Sequence, residues 1–293
     1  MGTKSPQNEI VFVDSIPLLS TSLSQLPNLI TESPSLFLDL EGIQLGRHGS
    51  ISILQLYAPS QRKILIIDVY GLKDKAFTTV DDCGNSLKSI LESPIILKGI
   101  FDIRNDSDAL FSHYGISVDG IRDIQLMELG TRKGSKAFVS GLAKCIEKES
   151  TISTEEKIAW QRTKENVRRL FAPEVGGRYE MFNERPIKPE ILEYCAQDVS
   201  LLPGLYSFYQ KKLIHPENKF WEAEVQIATR ERIKLSQSPG YNGRTRENAR
   251  GPWSNKYIQK ALDEWNEYSW ANRFTKIGEL EASFSRITIL GTR

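Results

Sequence analysis

Cysteine is scarce in this chain: Cys83, Cys145 and Cys195 are the only three in 293 residues, and none stands in a C-x-x-C pair. Neither a disulfide framework nor a structural zinc site is expected, and a reducing, intracellular compartment is the natural setting. The start, Met1-Gly2-Thr3-Lys4-Ser5-Pro6, lacks the apolar core of a secretion signal. No stretch approaches 18 uncharged apolar residues, so no membrane span is expected. The chain also lacks a surplus of either charge. A formal net charge of +1 gives no global basic field, so any nucleic-acid surface must be local. No convincing nuclear-localisation cluster is present, which leaves nucleus and cytoplasm equally open. What is present is a 40% hydrophobic content over a length that supports a substantial core.

The richest signal lies in Leu36-Phe37-Leu38-Asp39-Leu40-Glu41. Alternate residues of a strand point the same way, so Asp39 and Glu41 share one face and Leu38 and Leu40 the other. Two like charges in an apolar strand are unfavourable unless a cation sits on them. Strands are expected at Leu36 to Glu41, Ile51 to Tyr57 and Lys63 to Val69, separated by Gly46-Arg47-His48-Gly49 and by Pro59-Ser60, which makes an antiparallel meander. A helix follows over Cys83 to Glu92, then a buried strand at Ile95-Ile96-Leu97, a helix over Ser107 to Tyr114 and a short strand at Ile121 to Ile124. Helix signals dominate after Gln125. The last strong one opens at Pro189 and runs through Val199 toward Leu205, with Pro203-Gly204 expected to kink or interrupt it. This gives an α/β domain over about residues 1–212 and a C-terminal extension over 213–293. Within the extension, 235–252 reads as an exposed, mobile linker. Tyr257, Ile258, Ala261, Leu262, Trp265 and Tyr268 then form an amphipathic helix able to dock on the main body.

Further carboxylates belong with the first pair. Asp106 opens the helix after the buried strand, and Asp198 lies four residues after Tyr194 on one face of the late helix. Oxygen ligands without His or Cys favour Mg²⁺ or Mn²⁺ over zinc, and carboxylates around two such ions are suited to phosphodiester cleavage. Asp39-x-Glu41, then Arg104-Asn105-Asp106-Ser107-Asp108-Ala109-Leu110, then Tyr194-Cys195-Ala196-Gln197-Asp198 resemble the three motifs of the DEDDy 3'-5' exonucleases. That superfamily includes RNase D and the Werner-syndrome exonuclease domain. The texture is closest to the exonuclease 3'-5' domain-containing protein 1 family, through Arg104 to Leu110 and through Glu41-Gly42 followed by Gly46-Arg47-x-Gly49.

The resemblance covers about residues 30–212. It implies an RNase H-like (DnaQ-like) exonuclease fold, a mixed sheet whose first three strands are antiparallel, flanked by helices and followed by a helical extension. It also implies two Mg²⁺ or Mn²⁺ ions, held by Asp39, Glu41, Asp106 and Asp198. Tyr194 would orient the attacking water, and nucleic acid, RNA or DNA, would be cut from the 3' end to release 5'-mononucleotides. Phe101 stands where the family often has His. Asp108 is a rival to Asp106 as third carboxylate. The alternative function is a catalytically idle nucleic-acid-binding or scaffold protein that keeps the fold.

Each residue also has an ordinary reading. Asp106 suits a helix cap, and Tyr194 suits packing. Arg104 and Asn105 are candidates for substrate contact, as is Arg178 in the loop Pro173 to Tyr179. Arg162, Lys164, Arg168 and Arg169 read as a solvated face or a phosphate-contacting one. Arg47 and His48 fall in a turn. Trp253, Trp265 and Trp270 read as packing groups, with base stacking as the alternative.

Overall fold

A computed structural model describes residues 8–26 and 29–267. In chain order it gives strand β1 (Glu9–Val13), helix α1 (Ile16–Ser24) and strands β2 (Leu36–Glu41), β3 (Ile53–Ala58) and β4 (Lys63–Asp68). Three short helices follow, α2 (Val69–Leu72), α3 (Lys75–Thr78) and α4 (Leu87–Glu92), and then β5 (Lys98–Ile100), α5 (Arg104–Tyr114) and β6 (Ile121–Asp123). The rest is helical: α6 (Ile124–Thr131), α7 (Leu142–Glu149), α8 (Thr154–Phe171), α9 (Pro189–Ser200), α10 (Leu202–Leu213) and α11 (Lys219–Ser236). A further helix, α12, spans 255–267.

The six strands form one mixed sheet in the order β1-β4-β3-β2-β5-β6. The expected meander is β2-β3-β4, antiparallel throughout, while β5 runs parallel to β2 and β6 parallel to β5. β1, which the sequence reading did not anticipate, lies on the far edge, parallel to β4. A five-residue edge strand with a single partner carries little pattern of its own.

Period-two alternation sorts the central strands onto two cores. Leu36, Leu38, Leu40, Leu54, Leu56, Leu65 and Ile67 join Leu87, Leu91 and Leu110 on one face. Phe37, Ile53, Tyr57, Ile64 and Ile66 join Ile191, Cys195 and Val199 of α9 on the other. Asp39 and Glu41 alternate with the leucines and therefore emerge on the α9 side.

Some boundaries differ from expectation: β3 begins at Ile53 and not Ile51, α4 at Leu87 and not Cys83, and α5 at Arg104 and not Ser107. The buried strand lies at Lys98–Ile100, not at Ile95 to Leu97, and Ile95 is 57% exposed. Lys98 is tolerated inside because its ammonium donates to the carbonyls of Ile90 and Ser93, both at 2.8 Å. Gly99 admits the ring of Phe37, which would stand 2.4 Å from a Cβ at that position. The late helix is interrupted at Leu201, as Pro203 requires: α9 ends at Ser200 and Pro203 sits in the first turn of α10.

The segment after α11 is largely exposed, as its turn-forming residues suggest, but it is anchored at several points. It lies on the main body as a strap. The Arg47 guanidinium donates to the carbonyls of Ser236, Ser238 and Pro239 at 2.8 Å, and Tyr241 is buried. The partners are almost two hundred residues apart in the chain, so no local pattern reveals the pairing. α11 packs on α5, α6 and β6. Its Arg232 makes a buried ion pair with Asp123 at 2.7 Å. α12 docks on α11 through the Tyr257 hydroxyl, which donates to Glu224 at 3.0 Å, and through Trp265 against Phe220. Trp253 packs edge-on to Trp221, in line with a packing role. Tyr268 and Trp270 lie outside the described residues. Among the described residues no helix is long and apolar enough to cross a membrane.

Candidate active site

The site forms where β2 meets α9. Ile191, Tyr194, Cys195 and Asp198 follow the i, i+3, i+4, i+7 spacing that places residues on one helical face, and that face lies over the sheet. The result brings one carboxylate oxygen from each of Asp39, Glu41 and Asp198 within 4.8 Å of the others. Phe101, Leu142, Lys164, Tyr194 and Leu202 complete a cavity of about 230 Å³ around them.

Holding these carboxylates together in a half-dry cavity is costly, and their proton affinities show it. Burial, then the charge of Asp198, pushes Asp39 up to about 7 in spite of Lys164 and the Leu40 N–H. Burial and then Asp39 and Asp198 raise Glu41 well above the usual range, although the Tyr194 hydroxyl donates to it. Tyr194 itself is raised by burial and then by Glu41, Asp198 and Asp39, so it stays a phenol donor. Its ring packs against Phe171 at 5.6 Å.

Asp106 stands beside this group, in the first turn of α5. Burial, followed by the charges of Asp39, Asp102, Glu41 and Asp123, raises its pKa well above normal. Ile103, not Asp106, holds the N-cap position. Asp108 is occupied elsewhere: the Arg47 Nε donates to it at 2.8 Å and the Arg47 backbone N–H at 2.9 Å. Three carboxylates converge, with Asp106 close enough to feel the charges of Asp39 and Glu41, and this all-oxygen donor set fits hard divalent cations.

One site residue escaped notice as such. Lys164 Nζ donates to both oxygens of Asp198 at 3.1 Å and sits 5.4 Å from the ring centroid of Tyr194. The signal was its spacing, since Trp160, Lys164 and Val167 share the inward stripe of α8. Its neighbours in the sequence do point outward. Arg168 pairs with Glu174, Arg169 with Glu165, and Arg162 is exposed.

A family model described as 3'-5' exonuclease matches residues 17–214. The chain belongs to the 3'-5' exonuclease family. The chain is 29% identical over 167 residues to the mouse (Mus musculus) piRNA biogenesis protein EXD1, covering 55% of this chain and 26% of that protein. For the Xenopus laevis protein of the same name the figures are 26% over 179 residues, 57% and 35%. The chain thus spans only about a quarter to a third of these relatives' length. Among solved structures, Trypanosoma brucei RNase D in complex with RNA U12 superposes with a TM-score of 0.64 at 18% identity, covering 87% of this chain and 79% of that one. Escherichia coli RNase D, an exoribonuclease involved in structured RNA processing, gives 0.55 at 17% identity, with 78% and 51% covered. The RNase D-like exonuclease fold is therefore shown, along with membership of a divalent-metal-dependent nuclease family.

Within this exonuclease domain, the residues expected to contact substrate have other work. Arg104 is buried, donating twice to Asp102, at 2.7 and 2.6 Å, and once to the Asn248 carbonyl at 2.8 Å. Its guanidinium is engaged by these partners within the fold. Burial alone would raise Asp102, yet Arg104 and Arg232 hold its pKa below the usual range. Asn105 accepts from the Tyr241 hydroxyl at 3.1 Å, under the strap. Arg178 is exposed and ion-pairs with Glu184. In that loop the backbone approach is to the protein itself: a Cβ on Gly177 would fall 2.6 Å from the backbone of Leu170 and Phe171. Arg47 is a clamp on the strap, and His48 lies beside it in a separate polar cavity.

Proposed function

We propose that this domain hydrolyses the 3'-terminal phosphodiester of a nucleic acid and releases 5'-mononucleotides. The observation that carries the reading is the convergence of Asp39, Glu41 and Asp198 within 4.8 Å, against a mutual repulsion that bound cations would relieve. Asp39, Glu41 and Asp198 would hold one divalent ion, with Asp39 and Asp106 supporting a second. Mg²⁺ or Mn²⁺ ions there would supply charge neutralisation at the scissile phosphate and acidify the attacking water. Tyr194, anchored by its hydrogen bond to Glu41, orients that water for in-line attack. Phe101, Leu142 and Leu202 give the cavity an apolar wall that shields the reacting end from bulk solvent. RNA is the favoured polymer, supported by the RNA-bound RNase D neighbour and by relatives named for piRNA biogenesis.

The test is digestion of end-labelled RNA and DNA of matched sequence with Mg²⁺ and with Mn²⁺, with Asp198→Ala as control. Laddering from the 3' end that Asp198→Ala abolishes is the expected result. Binding of either polymer with no cleavage under any metal would overturn the reading.

One observation favours a second reading, a nucleic-acid-binding protein that does not turn over. Lys164 already neutralises Asp198, its ammonium placed against both oxygens. If that pair persists in the presence of metal, the site binds polymer and stays idle. Activity that appears only in Lys164→Met would identify this case.

A further inference from the structure

Gln55 is an unexplained group close to the proposed metal site. It sits at the middle of β3, has no solvent exposure, and neither its Nε2 nor its Oε1 finds a partner within ordinary hydrogen-bond geometry. A buried amide left unpaired is unfavourable, and a leucine or methionine would fill much the same space without that cost. What surrounds it accounts for its presence. In the antiparallel ladder Gln55 is the direct partner of Asp39, and residues directly opposite present their side chains on the same face, with Cβ atoms roughly 5 Å apart. Ile53 and Tyr57, on either side of Gln55, bury themselves on the α9 face, so the amide points to that face as well. From the helix side its one hydrogen-bonding neighbour among the described residues is the fully buried thiol of Cys195, a weak donor and acceptor that does not meet ordinary hydrogen-bond geometry with the amide. Asp39, for its part, takes a backbone hydrogen bond from Leu40, and no side chain among the described residues donates to it.

We propose that Gln55 is a positioning residue for Asp39, its amide placed to donate a hydrogen bond to that carboxylate when the carboxylate holds a cation. The inference rests on the metal-site reading above and names a group outside the three motifs. A donor on the inner side of the carboxylate fixes its rotamer and leaves the outer oxygen free for the metal. Partners of this kind orient metal ligands, and their loss weakens metal affinity by about 10- to 100-fold.

The experiment compares wild type with Gln55→Leu and Gln55→Met by calorimetric titration with Mn²⁺ and by thermal unfolding in EDTA. Both variants should melt at or above the wild-type temperature in EDTA, since an orphaned amide has been removed. Both should bind Mn²⁺ about tenfold more weakly. Affinity within twofold of wild type in both variants overturns the proposal. So does failure of both to fold in EDTA, which would give the amide a structural partner in the metal-free state. Wild-type protein that binds no Mn²⁺ overturns the metal-site reading and this inference together, whereas equal binding by wild type and variants sinks this inference alone.

Discussion

Replacing Asp39 by asparagine should stabilise the metal-free protein at alkaline pH while removing most of its response to metal. Asp39 is pushed from the ordinary 3.8 to about 7, first by burial and then by Asp198. At 1.36 kcal/mol per pH unit, that difference corresponds to about 4 kcal/mol for ionising the group in the folded state. Asp39 keeps some contact with solvent, which screens part of the repulsion, so about 2 kcal/mol is the working figure.

The sign follows from which state binds more protons. Below pH 3.8 the carboxyl is protonated in both states and costs nothing. Between 3.8 and about 7 the unfolded chain ionises while the folded one holds its proton, so stability falls as pH rises. Above about 7 the full cost is present. Asparagine cannot ionise, so Asp39→Asn should match wild type near pH 4 and exceed it by about 2 kcal/mol at pH 8, or roughly 4–8 °C in melting temperature. With Mn²⁺ the order reverses, because ligand present at a hundred times its Kd stabilises wild type by about 2.7 kcal/mol and the variant hardly at all. Urea unfolding at the two pH values, in EDTA and in Mn²⁺, measures each quantity. The reasoning is refuted if the variant is no more stable than wild type at pH 8 in EDTA, or if Mn²⁺ raises both equally.

Lys164→Met removes the cation that Asp198 already holds at 3.1 Å. Mn²⁺ affinity should rise by about tenfold, equivalent to about 1.4 kcal/mol, and a titration showing weaker binding would assign Lys164 to the support of the metal instead of competition with it. Arg232→Met strips the partner from fully buried Asp123, and breaking such a pair costs about 3–5 kcal/mol; a urea midpoint unchanged from wild type would count against the buried pair as a tie between α11 and β6. Ile191→Ala empties a fully buried position on α9 and should cost about 2–5 kcal/mol. Because the same helix carries Tyr194 and Asp198, Mn²⁺ binding should weaken in step, and undiminished affinity would show that the helix is held by its other contacts.

By itself the sequence determined the parts that local spacing encodes. Residues two apart on a strand and four apart on a helix share a face whatever surrounds them. Asp39 with Glu41, and Tyr194 with Asp198, were therefore legible as pairs, as were the meander and the break before Pro203. The order of three motifs then joined the pairs into one family signature. Long-range encounters were not legible, because no local pattern records them. Only the tertiary structure placed Lys164 against Asp198, tied Asp108 to Arg47, spent Arg104 on Asp102 and the Asn248 carbonyl, and laid the segment after α11 across the domain. It also set Gln55 opposite Asp39, since strand register is decided by which faces the two cores bury. A side chain's chemistry can be read from its identity, but whether that chemistry is free or already used depends on the neighbour that folding brings to it.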